Sequence, residues 1–312
     1  MTEAVRLESV TKSFAATTAV DDLSLSVPRG AVYGFIGPNG SGKSTTLRMI
    51  MRILHPDRGR VFVLGDDVTQ AQAASDRVGY LPEERGLYRK MRVYDILKFY
   101  AELKGRRVTH QQIDQQLARV DLAGVGTRLV EALSKGMAQK VQFLATVLHE
   151  PELLVLDEPF SGLDPVNMEV LRDVILDHKR RGATIIFSTH DMDVAEKMCD
   201  FVFMIFKGRK VLDGTLAALK EQYGRDTIRV RLEGNGVSFL DLPGVERVND
   251  YGQLQELRMA HGADAQVVLR ELAARGRVQH FEIASPTLHD IFVRIAGPSA
   301  ISSDKAPAAA TV

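Results

Sequence analysis

Short apolar runs alternate with stretches of helical periodicity along the first two thirds of the chain. Residues 31–36 read Ala-Val-Tyr-Gly-Phe-Ile, and similar runs occupy residues 153–156 and 184–187. After the first run, apolar residues recur at helical spacing through residues 43–54. Continuous apolar runs of this length are typical of strands buried on both faces of a parallel sheet. The pattern therefore predicts an α/β fold over residues 1–222, with a mainly parallel sheet flanked by helices.

Two segments depart from this alternation. At the N-terminus, residues 5–10 and 23–27 predict a pair of strands that turns at residues 28–30. Between residues 90 and 150 the strand pattern disappears and helical periodicity dominates, which predicts an all-helical insertion. Its helices are expected at residues 93–104, 109–120 and 134–149.

The pattern changes again after Gly224. Strands are predicted at residues 227–232, 245–249 and 254–259, a helix at 265–275, and a last strand and helix ending near Ala296. This alternation predicts a small α+β domain over residues 225–297. Residues 298–312 are rich in Ala, Ser and Pro and are predicted to be a disordered tail.

Composition and charge narrow the classes of function. The 312 residues contain 40 Lys and Arg against 40 Asp and Glu, so no basic surplus supports binding of nucleic acid. Cys199 is the single cysteine, which rules out an intrachain disulfide and favours a reduced, cytoplasmic compartment. The apolar run at residues 201–206 is far shorter than the ~20 residues that span a bilayer, and the N-terminus lacks a signal-peptide pattern. We therefore expect a cytoplasmic chain that does not itself cross a membrane.

The first candidate site is a glycine-rich loop directly after the apolar run at residues 31–36. It matches the phosphate-binding pattern G-x-x-x-x-G-K-[ST] at every fixed position. Glycines let successive backbone N–H groups converge on an anion, and the following helix adds the positive end of its dipole. Lysine supplies a mobile cation for the terminal phosphates, and the serine hydroxyl is a ligand for Mg²⁺. The loop consists of Gly37, Pro38, Asn39, Gly40, Ser41, Gly42, Lys43, Ser44 and Thr45.

Two carboxylates follow the apolar run at residues 153–156. Asp157 and Glu158 end a strand that is predicted to be buried, where carboxylates are costly unless they face a metal, a proton or a partner charge. Together with the loop, Asp157 suits Mg²⁺, held directly or through water, and Glu158 suits polarising an attacking water. Upstream, Ser134 precedes a helix that it can cap, and Gly136 lets the first backbone amides of that helix approach an anion.

The order of these motifs resembles that of the ATP-binding-cassette (ABC) ATPases over roughly residues 3–222. The phosphate loop, a Ser-x-Gly signature helix and the Leu-Asp-Glu-Pro strand are followed by a Ser-Gly-Leu-Asp loop and a Ser-Thr-His segment. The resemblance implies a P-loop NTPase fold with a RecA-like core, an N-terminal antiparallel β subdomain and a helical insertion, which binds ATP and Mg²⁺. The signature comprises Ser134, Lys135, Gly136 and Met137, and the later loop Ser161, Gly162, Leu163 and Asp164.

The resemblance further implies a head-to-tail dimer of cassettes, either a homodimer or a heterodimer with a second cassette. Each ATP would lie between the phosphate loop of one subunit and the signature of the other, with Asp164 contacting the opposite subunit. His190 would reach the γ-phosphate and help to hold the attacking water. Phe14 stands where the family has an aromatic residue that stacks on adenine.

The chain departs from the family pattern at two places. Glu83 replaces the usual glutamine; an oxygen ligand for Mg²⁺ is kept, but a charge is added. The signature contains Lys135 and Met137 in place of glycine and glutamine, while its serine and second glycine remain.

The C-terminal domain resembles the accessory domain of single-cassette ATPases that serve separate export permeases. An ATPase that energises export through a separate polytopic membrane permease is therefore expected, located peripherally on the cytoplasmic membrane face.

Two other classes of function remain open. A soluble cassette protein could use ATP-driven closure as a switch on ribosomes or DNA, although such relatives usually have two cassettes or a long coiled-coil insertion. A P-loop kinase for a small metabolite would leave the signature and the Ser-Thr-His segment unexplained.

Overall fold

The computed structural model describes residues 2–68, 75–84, 86–224, 226–233, 238–260 and 262–296. These residues form two compact units that divide between Gly214 and Thr215. The predicted tail at residues 298–312 lies outside the described residues.

A six-stranded sheet forms the centre of the first unit, in the order β10-β9-β3-β8-β7-β6. The pairs β3–β8, β3–β9, β7–β8 and β6–β7 are parallel. Every residue of β3, β7 and β8 is buried, which explains their uninterrupted apolar sequences. The strands are β3 (Val32–Ile36), β6 (Val78–Leu81), β7 (Leu153–Leu156), β8 (Thr184–Thr189), β9 (Phe201–Phe206) and β10 (Arg209–Thr215).

A second sheet packs on the first through a shared hydrophobic core. Its order is β2-β1-β4-β5, and its neighbouring strands are antiparallel. The strands are β1 (Glu3–Phe14), β2 (Thr17–Pro28), β4 (Arg58–Val63) and β5 (Asp66–Asp67).

The N-terminal strand pair differs from its prediction in length and in the position of its turn. The hairpin turns at residues 15–16, not at residues 28–30, which instead lead from β2 into β3. Ser9 and Asp22 have φ values of 47° and 48°, and the strand register shifts between Leu7 and Val10. These irregularities interrupt the two-residue alternation on which the prediction depended.

Helix α1 (Lys43–Ile50) follows β3, and it ends four residues before the predicted end at residue 54. Arg52 adopts a φ of 56°, and the N–H groups of Ile53 and Leu54 bond to the carbonyl of Arg48. A left-handed residue, followed by N–H groups that bond to a carbonyl of the last helical turn, is a common way for a helix to end. The helix therefore ends at Ile50, although the helical spacing of apolar residues continues to Leu54. Helices α5 (Pro165–Arg180) and α6 (Met192–Met198) flank the same sheet.

The helical insertion is present as predicted in its described residues. It contains α2 (Val93–Leu103), α3 (His110–Arg119) and α4 (Lys135–Val147). In α2 the buried residues include Val93, Ile96, Leu97 and Ala101, which share one helix face. Thr109 forms a capping box at the start of α3, and Ser134 caps α4.

The second unit is the small α+β domain. Its antiparallel sheet has the order β12-β13-β11-β14. One sheet face packs on α8 in a core that includes Val230, Leu257, Val268 and Leu272. The elements are α7 (Leu216–Gln222), β11 (Thr227–Glu233), β12 (Val245–Asp250), β13 (Gln255–Met259), α8 (Ala265–Arg275), β14 (Arg277–Ala284) and α9 (Leu288–Ala296).

Candidate functional site

The glycine-rich loop crosses from the end of β3 to the start of α1, and its glycines are required by close packing. A Cβ atom on Gly37 would lie 2.3 Å from the Ile205 carbonyl oxygen, and one on Gly42 would lie 2.5 Å from that of Ala19. Gly40 and Gly42 have φ values of 75° and 109°, which L side chains rarely adopt. The loop is therefore fixed in shape by its neighbours, with Gly42 as the N-cap of α1.

Lys43 is folded back over the loop that precedes it. Its Nζ donates to the carbonyls of Gly37 at 2.7 Å and Pro38 at 3.2 Å, and lies 3.6 Å from Oε1 of Glu158. Burial lowers the pKa of Lys43, while the carboxylates of Glu158 and Asp157 partly offset this effect. The side chain is thus a preorganised cation at the loop, held by weak partners that a phosphate could replace.

Asp157 follows β7 and is hydrogen-bonded to both the phosphate loop and the neighbouring strand β8. Ser44 Oγ donates to its Oδ1 at 3.0 Å, and Ser188 Oγ donates to the same atom at 2.6 Å. Its other oxygen, Oδ2, is buried and has no hydrogen-bond partner among the described residues. A buried carboxylate oxygen without a partner beside a serine hydroxyl is an oxygen donor set of the kind that Mg²⁺ prefers. Ser44 and Asp157 therefore fit a magnesium ion.

Glu158 is buried with one oxygen toward the lysine and the other toward a histidine. Its Oε1 has no hydrogen-bond partner within the described part of the chain, and its Oε2 lies 3.1 Å from Nδ1 of His190. Burial raises the pKa of Glu158, against the opposing effects of His190 and Lys43. The residue also has a φ of 48°, and its N–H donates to Ser188 Oγ at 2.9 Å. Backbone strain of this kind persists where the surroundings fix it, often at functional sites.

A cleft of about 440 Å³ opens beside the loop. Phe14, Ala19, Glu83 and Glu158 line it together with residues of the loop and of α1. Phe14 is 46% exposed, and Lys12 lies over its ring at 5.6 Å from the centroid. The predicted aromatic residue, the phosphate loop and the carboxylates of Glu83 and Glu158 thus line one cleft.

The signature residues lie beside the predicted dimer-contact loop. Lys135 packs near Gly162, and Gly136 lies near Leu163. Ser134 caps α4 by accepting from the N–H of Met137 at 3.3 Å. Asp164 caps α5 by accepting from the N–H of Asn167, and these hydrogen bonds lower the pKa of Asp164. The exposed members of the two segments are Ser134, Lys135, Ser161, Gly162 and Asp164.

A second cleft of about 270 Å³ lies between these two segments and the carboxylates. Lys135, Ser161, Glu83, Asp157 and Glu158 all line it. Lys135 and Glu83, the two residues that depart from the family pattern at this place, thus line the same cleft of one chain.

Three residues at the site were missed by the sequence analysis. Ser188 bonds to both carboxylate residues, Asp157 and Glu158. Gln139 donates from α4 to the carbonyls of Pro159 and Ser161, and Gln142 donates to that of Glu84. The two glutamines had a signal, because they are polar residues within the apolar stretch of α4. Ser188 lies in a recognised segment, but nothing in its local sequence indicates its partners.

Comparisons with known proteins identify the family of the chain. A family model described as "ABC transporter" matches residues 20–161, and one described as "ATP-binding protein DrrA1-3-like, C-terminal domain" matches residues 214–296. The uncharacterized ABC transporter ATP-binding protein YhaQ of Bacillus subtilis is 38% identical over 293 residues, which cover 93% of this chain and 98% of YhaQ. The chain belongs to the ABC transporter ATP-binding family. Membership implies ATP binding and hydrolysis.

Two further similarities extend the assignment. The daunorubicin resistance ATP-binding protein DrrA3 of Streptomyces coeruleorubidus is 32% identical over 303 residues, covering 94% of this chain and 96% of DrrA3. A solved ATP-binding subunit of an ABC transporter matches with a TM-score of 0.64 and 29% identity, covering 70% of this chain and 93% of that structure. The fold is that of an ABC ATPase with a C-terminal domain, as predicted. No helix among the described residues of the cassette or its C-terminal domain has the length and apolar character to span a bilayer.

Proposed function

We propose that the chain hydrolyses MgATP and energises export through a separate transmembrane permease. The observation that carries the proposal is the Glu158 carboxylate, which is buried between Lys43 and His190 beside the phosphate loop. A carboxylate held in this way has a free oxygen for a water molecule and a neighbouring cation for phosphate. These are the groups that phosphoryl transfer to water requires.

The residues of the chain divide the work of hydrolysis. The amides of the loop and the Lys43 ammonium bind the phosphates, and Phe14 stacks on the adenine. Glu158 orients the attacking water and accepts its proton, while His190 helps to hold that water near the γ-phosphate. Ser44, Asp157 and Glu83 would hold Mg²⁺, which neutralises charge on the phosphates.

ATP-driven pairing of two cassettes is the second part of the proposal. The signature at residues 134–137 and the loop at residues 161–164, both of them partly exposed, would face the partner in a homodimer or in a heterodimer with a second cassette. Their exposure supports this role, because the polar groups of both segments are accessible. Closing the pair would bring the signature of one subunit to the ATP held by the other.

Coupling to transport is the third part. The DrrA3 relative is named for daunorubicin resistance, and another relative, 38% identical over 240 residues, is named as a fluoroquinolones export protein. These names support export as the direction of transport. Motion of the segment at residues 83–88 would pass to the permease, although Arg85 in that segment lies outside the described residues. The chain would then work at the cytoplasmic face of the cell membrane, with substrate selectivity residing in the permease.

The test combines purification and enzymology. The tagged chain, isolated from gently solubilised membranes of its own cells, is expected to bring down a polytopic membrane protein and to release phosphate from MgATP. A chain found alone, or with ribosomes or DNA, would contradict the transport proposal. Transfer of phosphate to a small acceptor in place of water would indicate a kinase.

A further inference from the structure

The second unit contains a cavity that the ATPase reaction does not use. It measures about 660 Å³ and lies between α9 and the strands β11 to β13. This volume falls within the usual range for small-molecule sites. Because side chains alternate along a strand, Leu257 and Met259 face the core while Glu256 and Arg258 face the cavity.

Two arginines meet directly across neighbouring strands at this cavity. Arg247 of β12 is the register partner of Arg258 of β13, and both line the cavity. Like charges at directly opposed positions destabilise a sheet. Neither guanidinium forms an ion pair or hydrogen bond with any part of the chain that the structure describes, and Nε of Arg258 is buried without a partner.

The carboxylates around the cavity are engaged elsewhere. Asp250 accepts from the N–H of Gly252 at 2.7 Å and from Gln255 Nε2 at 3.0 Å. Glu256 accepts from Arg229 Nε at 2.8 Å. The hydrogen bonds that the structure describes for these two carboxylates are therefore with groups other than the arginine pair.

Two more cavity residues have partners of their own. Asp290 accepts from the N–H and the hydroxyl of Thr287, at 2.9 and 2.6 Å. Arg294 forms two hydrogen bonds with Asp226, at 2.9 and 2.8 Å. Asp250, Glu256, Asp290 and Arg294 thus have hydrogen-bond partners among the described residues, whereas the guanidinium groups of Arg247 and Arg258 have none.

We propose that this cavity binds a small molecule through a phosphate or carboxylate head group held by Arg247 and Arg258. Two guanidinium groups side by side offer paired N–H donors that match the oxygens of such an anion. The anion would accept hydrogen bonds from the two guanidinium groups and remove the repulsion between the two strands. Val293 and the ring of Tyr251, which is 67% exposed, provide apolar surface for the rest of the molecule.

The test follows the two arginines directly. The full chain, labelled with ¹⁵N at arginine Nε, is titrated with inorganic phosphate while saturating MgADP occupies the nucleotide site. The resonances of Arg247 and Arg258 are assigned from their loss in Arg247→Gln and Arg258→Gln. Both signals are expected to shift together and to saturate, with one common dissociation constant.

Substitutions separate specific binding from general attraction of anions. Arg258→Lys keeps the charge but loses the paired donors, and it should weaken phosphate binding about tenfold or more. Arg270→Gln is the matched control, because Arg270 lies on α8 and donates to Gln266; its binding should equal that of the wild type. Without phosphate, Arg247→Gln should melt no lower than the wild type, since it removes a like-charge pair.

A parallel titration with phosphatidylcholine vesicles, with and without phosphatidic acid, identifies the source of the head group. A response to free phosphate indicates a soluble ligand, and a response only to phosphatidic acid indicates a lipid. If neither probe shifts the two signals, or if they shift linearly together with that of Arg270, the proposal is wrong. The titration measures binding and does not depend on turnover, so a failure of the proposed ATPase function would not change its outcome.

Discussion

Replacing Glu158 by glutamine tests the proposed chemistry most directly. The substitution keeps the size of the side chain and leaves the N–H bond to Ser188 Oγ in place. It removes the negative charge 3.6 Å from Lys43 Nζ and the proton acceptor beside His190. Lys43 keeps its bonds to the carbonyls of Gly37 and Pro38, so the fold and ATP binding should survive.

The expected loss is one of rate. A positioned general base contributes about 10²- to 10⁴-fold to a reaction, which corresponds to about 2.7–5.4 kcal/mol in activation free energy. Glu158→Gln should therefore release phosphate about 10²- to 10⁴-fold more slowly while it binds ATP and accumulates as a dimer. Phosphate release, ATP binding and size-exclusion chromatography measure these three properties.

Glu169→Gln provides the matched control, because Glu169 lies on α5 with a side chain 71% exposed. It should leave turnover unchanged. If Glu158→Gln retained turnover within about tenfold of the wild type, Glu158 could not be the base. The assignment of the reaction to this carboxylate would then be refuted.

The stability of the same variant, relative to the wild type, should depend on pH. Burial raises the pKa of Glu158, so the ionised carboxylate is disfavoured in the folded state without nucleotide. The fold should lose stability as the pH rises through this raised pKa, whereas a glutamine does not ionise. Glu158→Gln should therefore melt higher than the wild type at pH 8, and the difference should shrink toward pH 4.5. An equal difference at all pH values would contradict this reasoning.

Substitutions of Lys43, Asp157 and Ser134 test the remaining parts of the site, with Thr109→Ala as a control. Lys43→Ala removes a charged hydrogen-bond donor worth about 1.5–3 kcal/mol, so ATP should bind about 10- to 150-fold more weakly in equilibrium titrations; unchanged affinity would exclude a phosphate contact. Asp157→Asn should raise the Mg²⁺ concentration needed for half-maximal ATPase activity by about 10- to 100-fold, and an unaltered Mg²⁺ dependence would argue against a metal role. Ser134→Ala and Thr109→Ala each remove a helix cap and should lower unfolding stability by about 1 kcal/mol. Only Ser134→Ala should also reduce ATP hydrolysis, and equal activities would remove Ser134 from the site.

Local sequence was sufficient where the physics is local. The phosphate loop, the buried strand that precedes it and the carboxylates at residues 157–158 follow from residue types and from spacing over a few positions. The family assignment followed from the order of such motifs. The capping of α4 by Ser134 is equally local, because donor and acceptor are three residues apart.

Hydrophobic periodicity failed at irregular positions of the backbone. The end of α1 depends on the left-handed Arg52, and the N-terminal hairpin depends on bulges that break its alternation. Periodicity continues through such positions, so it cannot mark them.

Only the tertiary structure decided which groups meet. Ser188 reaches Asp157 across 31 positions of sequence because β7 and β8 are neighbours in the sheet. Arg247 opposes Arg258 because of one particular register between β12 and β13. The sequence by itself determined the buried strands before the phosphate loop and before Asp157, the helical insertion, and the chemical groups that these segments carry. Their pairing depends on packing between distant segments, where burial and charge are set by neighbours that no short pattern contains.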